Sequence, residues 1–276
     1  MTVFHSQHAV QADSAVAIAV LIWFGTGRQP LLAVYRFVRS LATSRRFLAF
    51  FAAALAILIV NTFEVKLENA YGVTYDLTRF MTGWEGGWHV WLQHRLENGP
   101  LTAVCTFFYV VMFQSVMLAS LAIYSSMRNK RLFYAFCTAL LMNYAVALPM
   151  YGFVPVNEVW YADPRVHFLM LEAFPSFERD YRGLSGINNC FPSLHTSISV
   201  TLALLASRSG IRRWAVFAWA NAAVIVFAIF YLGVHWFTDM AAGVLLAVLS
   251  SAVGRKVGAR AESNDRKREK GDAPAD

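Results

Sequence analysis

Three ionisable residues in the second half of the chain have the types and the spacing that nucleophilic catalysis requires. His195 lies in the stretch NNCFPSLHTS, and His235 and Asp239 lie in YLGVHWFTDMAAG, 40 residues further on. On a helix, an aspartate four residues after a histidine reaches one imidazole nitrogen, which fixes the tautomer and leaves the other nitrogen free. With a second histidine nearby, such a pair fits phosphoryl transfer, in which one imidazole attacks phosphorus and the other protonates the departing oxygen.

The residues around His195 predict a helix N-terminus that binds an anion. Pro192 suits the first helical turn, where its missing N–H group is no loss. Ser193, Leu194 and His195 would share that turn, whose free backbone N–H groups and helix dipole attract a phosphate. Two alternatives stay open: a histidine that only packs, and a metal site. Zinc accepts two histidines and a carboxylate, but the set lacks the spacing of a helical His-Glu-x-x-His motif.

The elements that must position these residues are transmembrane helices. Of the 276 residues, 57% are hydrophobic and 15% are charged, whereas soluble domains have about 25% charged residues. The mean hydropathy is +0.45. The predicted fold class is therefore an all-α integral membrane protein with a six-helix transmembrane core. Six runs are long enough, or nearly so, to cross a hydrocarbon core of ~30 Å, namely 47–63, 100–124, 132–151, 192–208, 214–234 and 237–254.

The placement of the basic residues predicts which ends of the spans face the cytoplasm. The net charge is +7, and the alternate connecting segments 64–99 and 152–191 hold six basic and ten acidic residues. The positive-inside rule places the more basic segments in the cytoplasm, so His195 and His235 are predicted to face the opposite side. These basic segments hold eighteen of the 24 Lys and Arg residues and comprise 28–46, 125–131, 207–213 and the tail after Gly254.

The segments outside the spans divide the chain into three predicted regions. Residues 1–46 contain a short apolar run, 9–27, as an extra N-terminal membrane segment that spans, re-enters or lies in the interface, followed by a basic cytoplasmic loop. Residues 47–254 form the six-helix core. Residues 255–276 form a charged tail without aromatic residues, which is typical of disorder.

The two predicted outer segments are long enough to cover the helix mouths. In 64–99, three tryptophans recur near helical spacing, namely Trp84, Trp88 and Trp91. This pattern predicts an amphipathic helix on the membrane surface or, equally, an ordinary packed loop helix. Residues 152–191 hold three prolines with acids and arginines between them, and we expect them to cap the helix mouths.

The stretches PSLH and GVHWFTD resemble two motifs of the type 2 phosphatidic acid phosphatase superfamily, and the likeness covers about 47–254. The resemblance implies a six-helix membrane core with its active site at the outer or lumenal face. It also implies that His235 is the nucleophile, that Asp239 orients it and that His195 protonates the leaving group. Ser193 matches the serine that contacts phosphate.

Two departures from the superfamily pattern concern positive charge. The chain contains no Arg-Pro dipeptide, which the phosphatase branch carries in its first motif, and Ala228 and Ile229 stand where that branch has Ser-Arg. In these respects the chain is similar to the subfamily of fungal inositol phosphorylceramide synthase, which moves a phospho-headgroup between lipids. We expect Arg182, and then Arg179, to bind the substrate phosphate instead. The alternative is that both arginines pair with acids of the same loop, Glu178 and Asp180.

The sequence therefore predicts a membrane-embedded lipid phosphatase or phosphotransferase that works at the extracytoplasmic face through a phosphohistidine. The predicted mechanism uses no cofactor and no metal. The expected partners are a phosphorylated lipid and the bilayer, with no nucleic acid, and the expected location is the plasma membrane of a prokaryote. Two other classes stay open: a transporter or binding protein that uses the His/Asp cluster as a substrate site, and a metal-dependent membrane hydrolase.

Overall fold

The computed structural model describes residues 2–71, 76–184 and 186–271, and most of these are helical. No β-strand occurs within the described ranges, which hold one isolated bridge between Val156 and Asn189. A π-helical turn at Phe108–Met112 joins the helix Gly99–Phe107 to the helix Phe113–Ser126. The helices are α1 Gln7–Thr26, α2 Pro30–Thr43, α3 Arg45–Tyr71, α4 Thr78–Leu96, α5 Gly99–Phe107, α6 Phe113–Ser126, α7 Lys130–Phe153, α8 Val159–Ala162, α9 Met170–Ala173, α10 Phe177–Asp180, α11 Leu194–Ala206, α12 Arg212–Tyr231 and α13 Phe237–Gly271.

The all-α membrane class predicted from the sequence is confirmed. Within the described residues, six helical segments are long and apolar enough to span a bilayer. Five of them match predicted spans, and the sixth, α1, is the N-terminal run whose arrangement the sequence left open. The predicted span 192–208 is a shorter helix, α11, whose 13 residues extend for about 20 Å. This helix is too short to cross a core of ~30 Å by itself.

Two glycines allow α13 to pack closely against α7. A Cβ atom added at Gly254 would lie 2.4 Å from the carbonyl oxygen of Ala135, and one at Gly258 would lie 2.4 Å from that of Arg131. Small residues four apart are a common way for membrane helices to bring their backbones together. The close approach fixes α13, whose first turn carries Asp239, relative to the centre of the bundle.

The end of the chain differs from the predicted disordered tail, because α13 continues through Gly271. Two distant partners hold this part of the helix: the carboxylate of Asp265 accepts hydrogen bonds from Arg46 Nη1 at 2.5 Å and from the hydroxyl of Tyr134 at 2.8 Å. Local composition carries no sign of such long-range partners, so the tail resembles a disordered segment in sequence alone. Residues 272–276 lie outside the described residues.

Candidate active site

The second motif begins its helix later than the sequence predicts. Helix α11 starts at Leu194 with Ser193 as its N-cap, so Pro192 precedes the cap instead of occupying the first turn. The hydroxyl oxygen of Ser193 accepts a hydrogen bond from the backbone N–H of Thr196 at 3.3 Å, and Ser193 is fully buried. Serine favours this position because its side chain satisfies one of the free N–H groups of the helix. His195 is the second helical residue.

The third motif is a turn between two helices. Gly233 has a φ of 78°, in the left-handed region that favours glycine, and a Cβ atom there would lie 2.9 Å from the carbonyl oxygen of His167. His235 lies two residues before α13 begins, so it is not on a helix with Asp239 as the spacing predicts. The turn still brings His235 Nδ1 to 3.2 Å from Asp239 Oδ2. The same carboxylate oxygen accepts from the backbone N–H of Trp236 at 3.0 Å.

The two motifs touch through their backbones. The backbone N–H of Ser193 donates to the carbonyl oxygen of Asp239 at 3.1 Å. A Cβ atom added at Gly243 would lie 2.7 Å from the carbonyl oxygen of Ser193, so this glycine is required for the close contact between α11 and α13. These contacts determine the separation of the two histidines.

The two imidazole rings face one cavity. Their centroids are 5.9 Å apart, and the ring of His195 stacks on Tyr109 at 4.1 Å and lies 4.5 Å from Phe113. Tyr109 belongs to the π-helical turn, a feature that often occurs at functional sites. The cavity has a volume of about 370 Å³, which is within the range of small-molecule sites.

Many of the residues that line the cavity are polar, and the described ones include no Lys or Arg. Sequence reasoning did not find most of these polar groups, because they come from separate segments and share no motif. Tyr144, on helix α7, lies on the wall. Its neighbour Asn143 instead accepts a hydrogen bond from Ser197 of α11 and donates one to the carbonyl oxygen of Ala139 within α7. Besides the histidines, the polar lining comprises Asn61, Thr62, Tyr109, Gln114, Tyr144, Tyr151, Glu158, Tyr181, Asn189 and Cys190.

The two arginines predicted to bind phosphate have different environments. Arg179 has a side chain that is 75% exposed and pairs with Asp180 at 2.7 Å, as in the alternative that the sequence left open. Its hydrogen bonds lower the pKa of Asp180 to about 2. Arg182 is only 12% exposed and pairs with Glu178 at 2.8 Å and with Glu158 at 2.7 Å. Because Glu158 lines the cavity, Arg182 lies directly behind the wall.

Helix α4 contacts the turn of His235 and the start of α13. The carboxylate of Glu85 accepts hydrogen bonds from the backbone N–H of Phe237 and from both the N–H and the hydroxyl of Thr238, so it caps the start of α13. Burial lowers the pKa of His89, whose Nε2 lies 2.9 Å from the carbonyl oxygen of His235. Trp84, Trp88 and Trp91 are exposed on this helix, and Trp88 also contacts Phe237.

On the mechanism predicted from the sequence, loss of the Glu85 hydrogen bonds should weaken catalysis without removing a reacting group. We expect Glu85→Ala to reduce turnover by about tenfold to a hundredfold, because small displacements of reacting groups have effects of that size. The lost helix cap should also lower the free energy of unfolding by about 1 kcal/mol. Steady-state kinetics and thermal unfolding in detergent test both. Glu97→Ala is the matched control, since the carboxylate of Glu97 lies 3.7 Å from His167 Nδ1 and makes no other ion pair or hydrogen bond with the described residues. Equal effects of the two substitutions would contradict the proposed role of Glu85.

Residues 76–253 match the family model of the PAP2 superfamily. The chain belongs to the PAP2 superfamily. The matched range includes both motifs, residues 152–191 and helix α4. No match was found among curated proteins or among solved structures. The family and the spanning helices together make the chain a multi-pass membrane protein of a phosphatase and phosphotransferase superfamily.

Proposed function

We propose that this PAP2-superfamily protein transfers a phosphoryl or phospho-headgroup from a lipid through a phosphohistidine intermediate. The observation that carries the proposal is the pairing of His235 Nδ1 with the buried carboxylate of Asp239 at 3.2 Å, beside the ring of His195 on the same cavity wall. An imidazole held in this way keeps Nε2 free for attack and gains stabilisation as positive charge develops.

In the proposed first step, Nε2 of His235 forms a bond to phosphorus as the bond from phosphorus to the leaving oxygen breaks. His195, in its protonated form, donates its proton to that oxygen, which departs as an alcohol. The carboxylate of Asp239 stabilises the charged imidazole of the intermediate. The full burial of Asp239 supports this role, because a charge interaction is stronger where water is excluded.

In the second step, His195 acts as the base. It takes a proton from water or from an acceptor alcohol, whose oxygen bonds to phosphorus as the bond to His235 Nε2 breaks. The enzyme then returns to its starting protonation state. Water gives a phosphatase reaction, and an alcohol gives a transferase reaction.

The charge of the cavity favours a phosphodiester donor. A phosphate monoester carries up to two negative charges at neutral pH, whereas a diester carries one. The described wall contains the carboxylate of Glu158 and no Lys or Arg, so a second negative charge on the ligand would be poorly compensated. This supports transfer of a phospho-headgroup, as in the inositol phosphorylceramide synthase subfamily that the motifs resemble.

The phosphate itself would interact with the N-terminal turn of α11 and with the positive potential of Arg182. We propose that Ser193 acts by capping this turn and fixing its free N–H groups, since its hydroxyl already accepts from Thr196. Arg182 would act through the cavity wall, where Glu158 separates it from the ligand. Arg179 is exposed and paired with Asp180, and we assign it no direct contact.

We also propose that the site opens at the extracytoplasmic face of a prokaryotic plasma membrane. The proposal rests on the charge asymmetry, since the segments predicted to lie on the other side hold eighteen of the 24 basic residues. A substrate lipid would then enter from the outer leaflet.

A panel of phospholipid donors tests the proposed function. Purified protein is incubated with phosphatidate and with phosphodiester lipids, with and without a lipid alcohol, and free phosphate is measured beside transferred headgroup. We expect turnover of at least one diester donor with transfer to the alcohol. Release of phosphate from phosphatidate alone would restrict the activity to a phosphatase, and no turnover of any donor would contradict the proposal.

One observation favours a second chemistry, a metal-dependent hydrolase. Ligand atoms of Cys190, His235 and Asp239 all lie within 4.8 Å of one another, a set that differs from the three residues considered from the sequence. Burial raises the pKa of the Cys190 thiol well above its usual range, so a metal would have to displace its proton. The phosphohistidine mechanism has no role for this thiol.

Cys190→Ala separates the two chemistries. We expect the variant to keep turnover within about threefold of the original, because the phosphohistidine mechanism uses only the histidines and Asp239. Activity should survive strong chelation and be inhibited by vanadate, which mimics pentacoordinate phosphorus. A large loss in Cys190→Ala together with loss on chelation, restored by a divalent metal, would establish the metal mechanism instead.

A further inference from the structure

A second cavity, far from the histidines, lies where two basic segments of the sequence meet. It has a volume of about 710 Å³ and lies between α2, the start of α3 and the end of α6. The helical segment Gly99–Ser126 contributes to both sites: Tyr109 and Gln114 line the cavity of the histidines, and Ser125, about 16 to 24 Å further along the helix axis, lines this one. Asn98, just before this segment, contacts Tyr231 at the end of α12, close to the turn of His235. At the other end of the segment, the carbonyl oxygen of Ser126 accepts a hydrogen bond from Arg36 at this cavity.

The wall of this cavity carries an excess of positive charge. Among the described residues, four basic ones line it, and the one acid there, Asp265, is already paired with Arg46 and bonded to Tyr134. Within the described part of the chain, the guanidinium groups of Arg39 and Arg128 make no ion pair or hydrogen bond. An anion would therefore meet two guanidinium groups, those of Arg39 and Arg128, that no carboxylate of the described residues neutralises. The four basic residues are Arg36, Arg39, Arg128 and Lys130.

Two further features of the wall suit an anionic ligand. The hydroxyl of Ser125 is buried, lines the cavity and has no hydrogen-bond partner, and a buried polar group of this kind is costly unless a ligand or water satisfies it. Arg128 has a φ of 54° because it ends α6 in a left-handed cap, and this cap fixes the backbone from which its side chain lines the cavity.

The outer face of α2 indicates the kind of anion. Leu31, Val34 and Val38 are exposed on this helix, whereas Arg36 and Arg39 line the cavity. A helix with an apolar face and a basic face lies in the membrane interface, with its apolar residues among the acyl chains. A ligand bound here can therefore place a phosphate on the arginines and hydrocarbon along α2, which a free phosphate ion cannot do.

We propose that this cavity binds the headgroup phosphate of an anionic phospholipid, on the membrane side opposite the candidate active site. The site is separate from the cavity of the histidines and does not depend on the reaction proposed there. Its ligand would be a structural or regulatory lipid of the basic side, which the charge distribution assigns to the cytoplasmic leaflet.

Lipid-dependent thermal unfolding tests the proposal. Delipidated protein is titrated with phosphatidylglycerol, with phosphatidylcholine and with inorganic phosphate, and the unfolding midpoint is recorded. We expect phosphatidylglycerol to raise the midpoint in a saturable manner at concentrations where the other two have no effect. In Arg39→Gln/Arg128→Gln the apparent affinity should fall by at least about tenfold, since each basic residue near a membrane contributes about fivefold.

Arg45→Gln/Arg212→Gln is the matched control, because it removes two charges from the same side outside the cavity. We expect it to change the affinity by less than about threefold. Equal losses in the two double variants would mean diffuse attraction to the surface and would overturn the site. Equal stabilisation by inorganic phosphate would overturn the lipid assignment. If the cavity double variant does not fold, Arg39→Gln alone gives the same comparison, since Arg39 is exposed and forms no ion pair in the described chain.

Discussion

We expect His235→Gln to lower turnover of the donor lipid by at least about 10⁴-fold while the protein stays folded. In enzymes with a comparable histidine and aspartate pair, removal of the nucleophile or its partners lowers turnover by this factor or more. Glutamine has a similar size and no nucleophilic nitrogen. The start of α13 should persist, because Asp239 still accepts from Trp236 and Glu85 still caps Phe237 and Thr238. The measurements are steady-state turnover and the thermal unfolding midpoint in detergent.

His89→Gln is the matched control for this prediction. His89 is also a buried histidine, which lies on α4 and contacts the carbonyl oxygen of His235, and the amide group of glutamine can also reach that oxygen. We expect this variant to keep turnover within about tenfold. Brief incubation with a donor labelled on phosphorus should leave alkali-stable label on the original protein and none on His235→Gln. Near-normal turnover in His235→Gln would show that this residue is not the nucleophile.

The helices could be predicted from the sequence because a span is a local property of composition. The run 132–151 is mostly hydrophobic and lies within α7. The run 214–234 is also mostly hydrophobic and overlaps most of α12. The prediction was less accurate where helix ends depend on capping. Ser193 ends the loop and begins α11, so this helix is shorter than its apolar run. The end of α13 depends on Arg46 and Tyr134, which are distant in sequence.

Only part of the candidate site is visible in the sequence. His195, His235 and Asp239 have a recognisable spacing, and the structure brings all three together at one cavity or directly behind it. The contacts of Glu85 and Glu158 have no such spacing, because they join segments far apart in the chain. Glu85, for example, caps a helix that begins about 150 residues later. Such contacts depend on how the helices pack, and a single sequence does not encode them as a pattern.

Substitution of His195 should cause the second large loss of turnover, and the size of this loss should depend on the leaving group. We expect His195→Gln to lower turnover by about 10² to 10⁴-fold for a donor with an alkyl alcohol as leaving group, which is the usual size of general acid catalysis. For a donor with a nitrophenyl leaving group the loss should be less than about tenfold. Nitrophenolate departs without protonation, so a missing acid matters little. Turnover of both donors is measured on both proteins.

Tyr109→Phe distinguishes proton transfer by His195 from the packing of the His195 ring on Tyr109. The ring of His195 stacks on Tyr109 at 4.1 Å, so a change that disturbs the stack could lower activity without any role in proton transfer. Phenylalanine keeps the ring, and we expect it to keep turnover of both donors within about fivefold. A loss in His195→Gln that is equal for the two donors would assign His195 a positioning role, since only an acid that protonates the leaving oxygen distinguishes an alkoxide from a nitrophenolate.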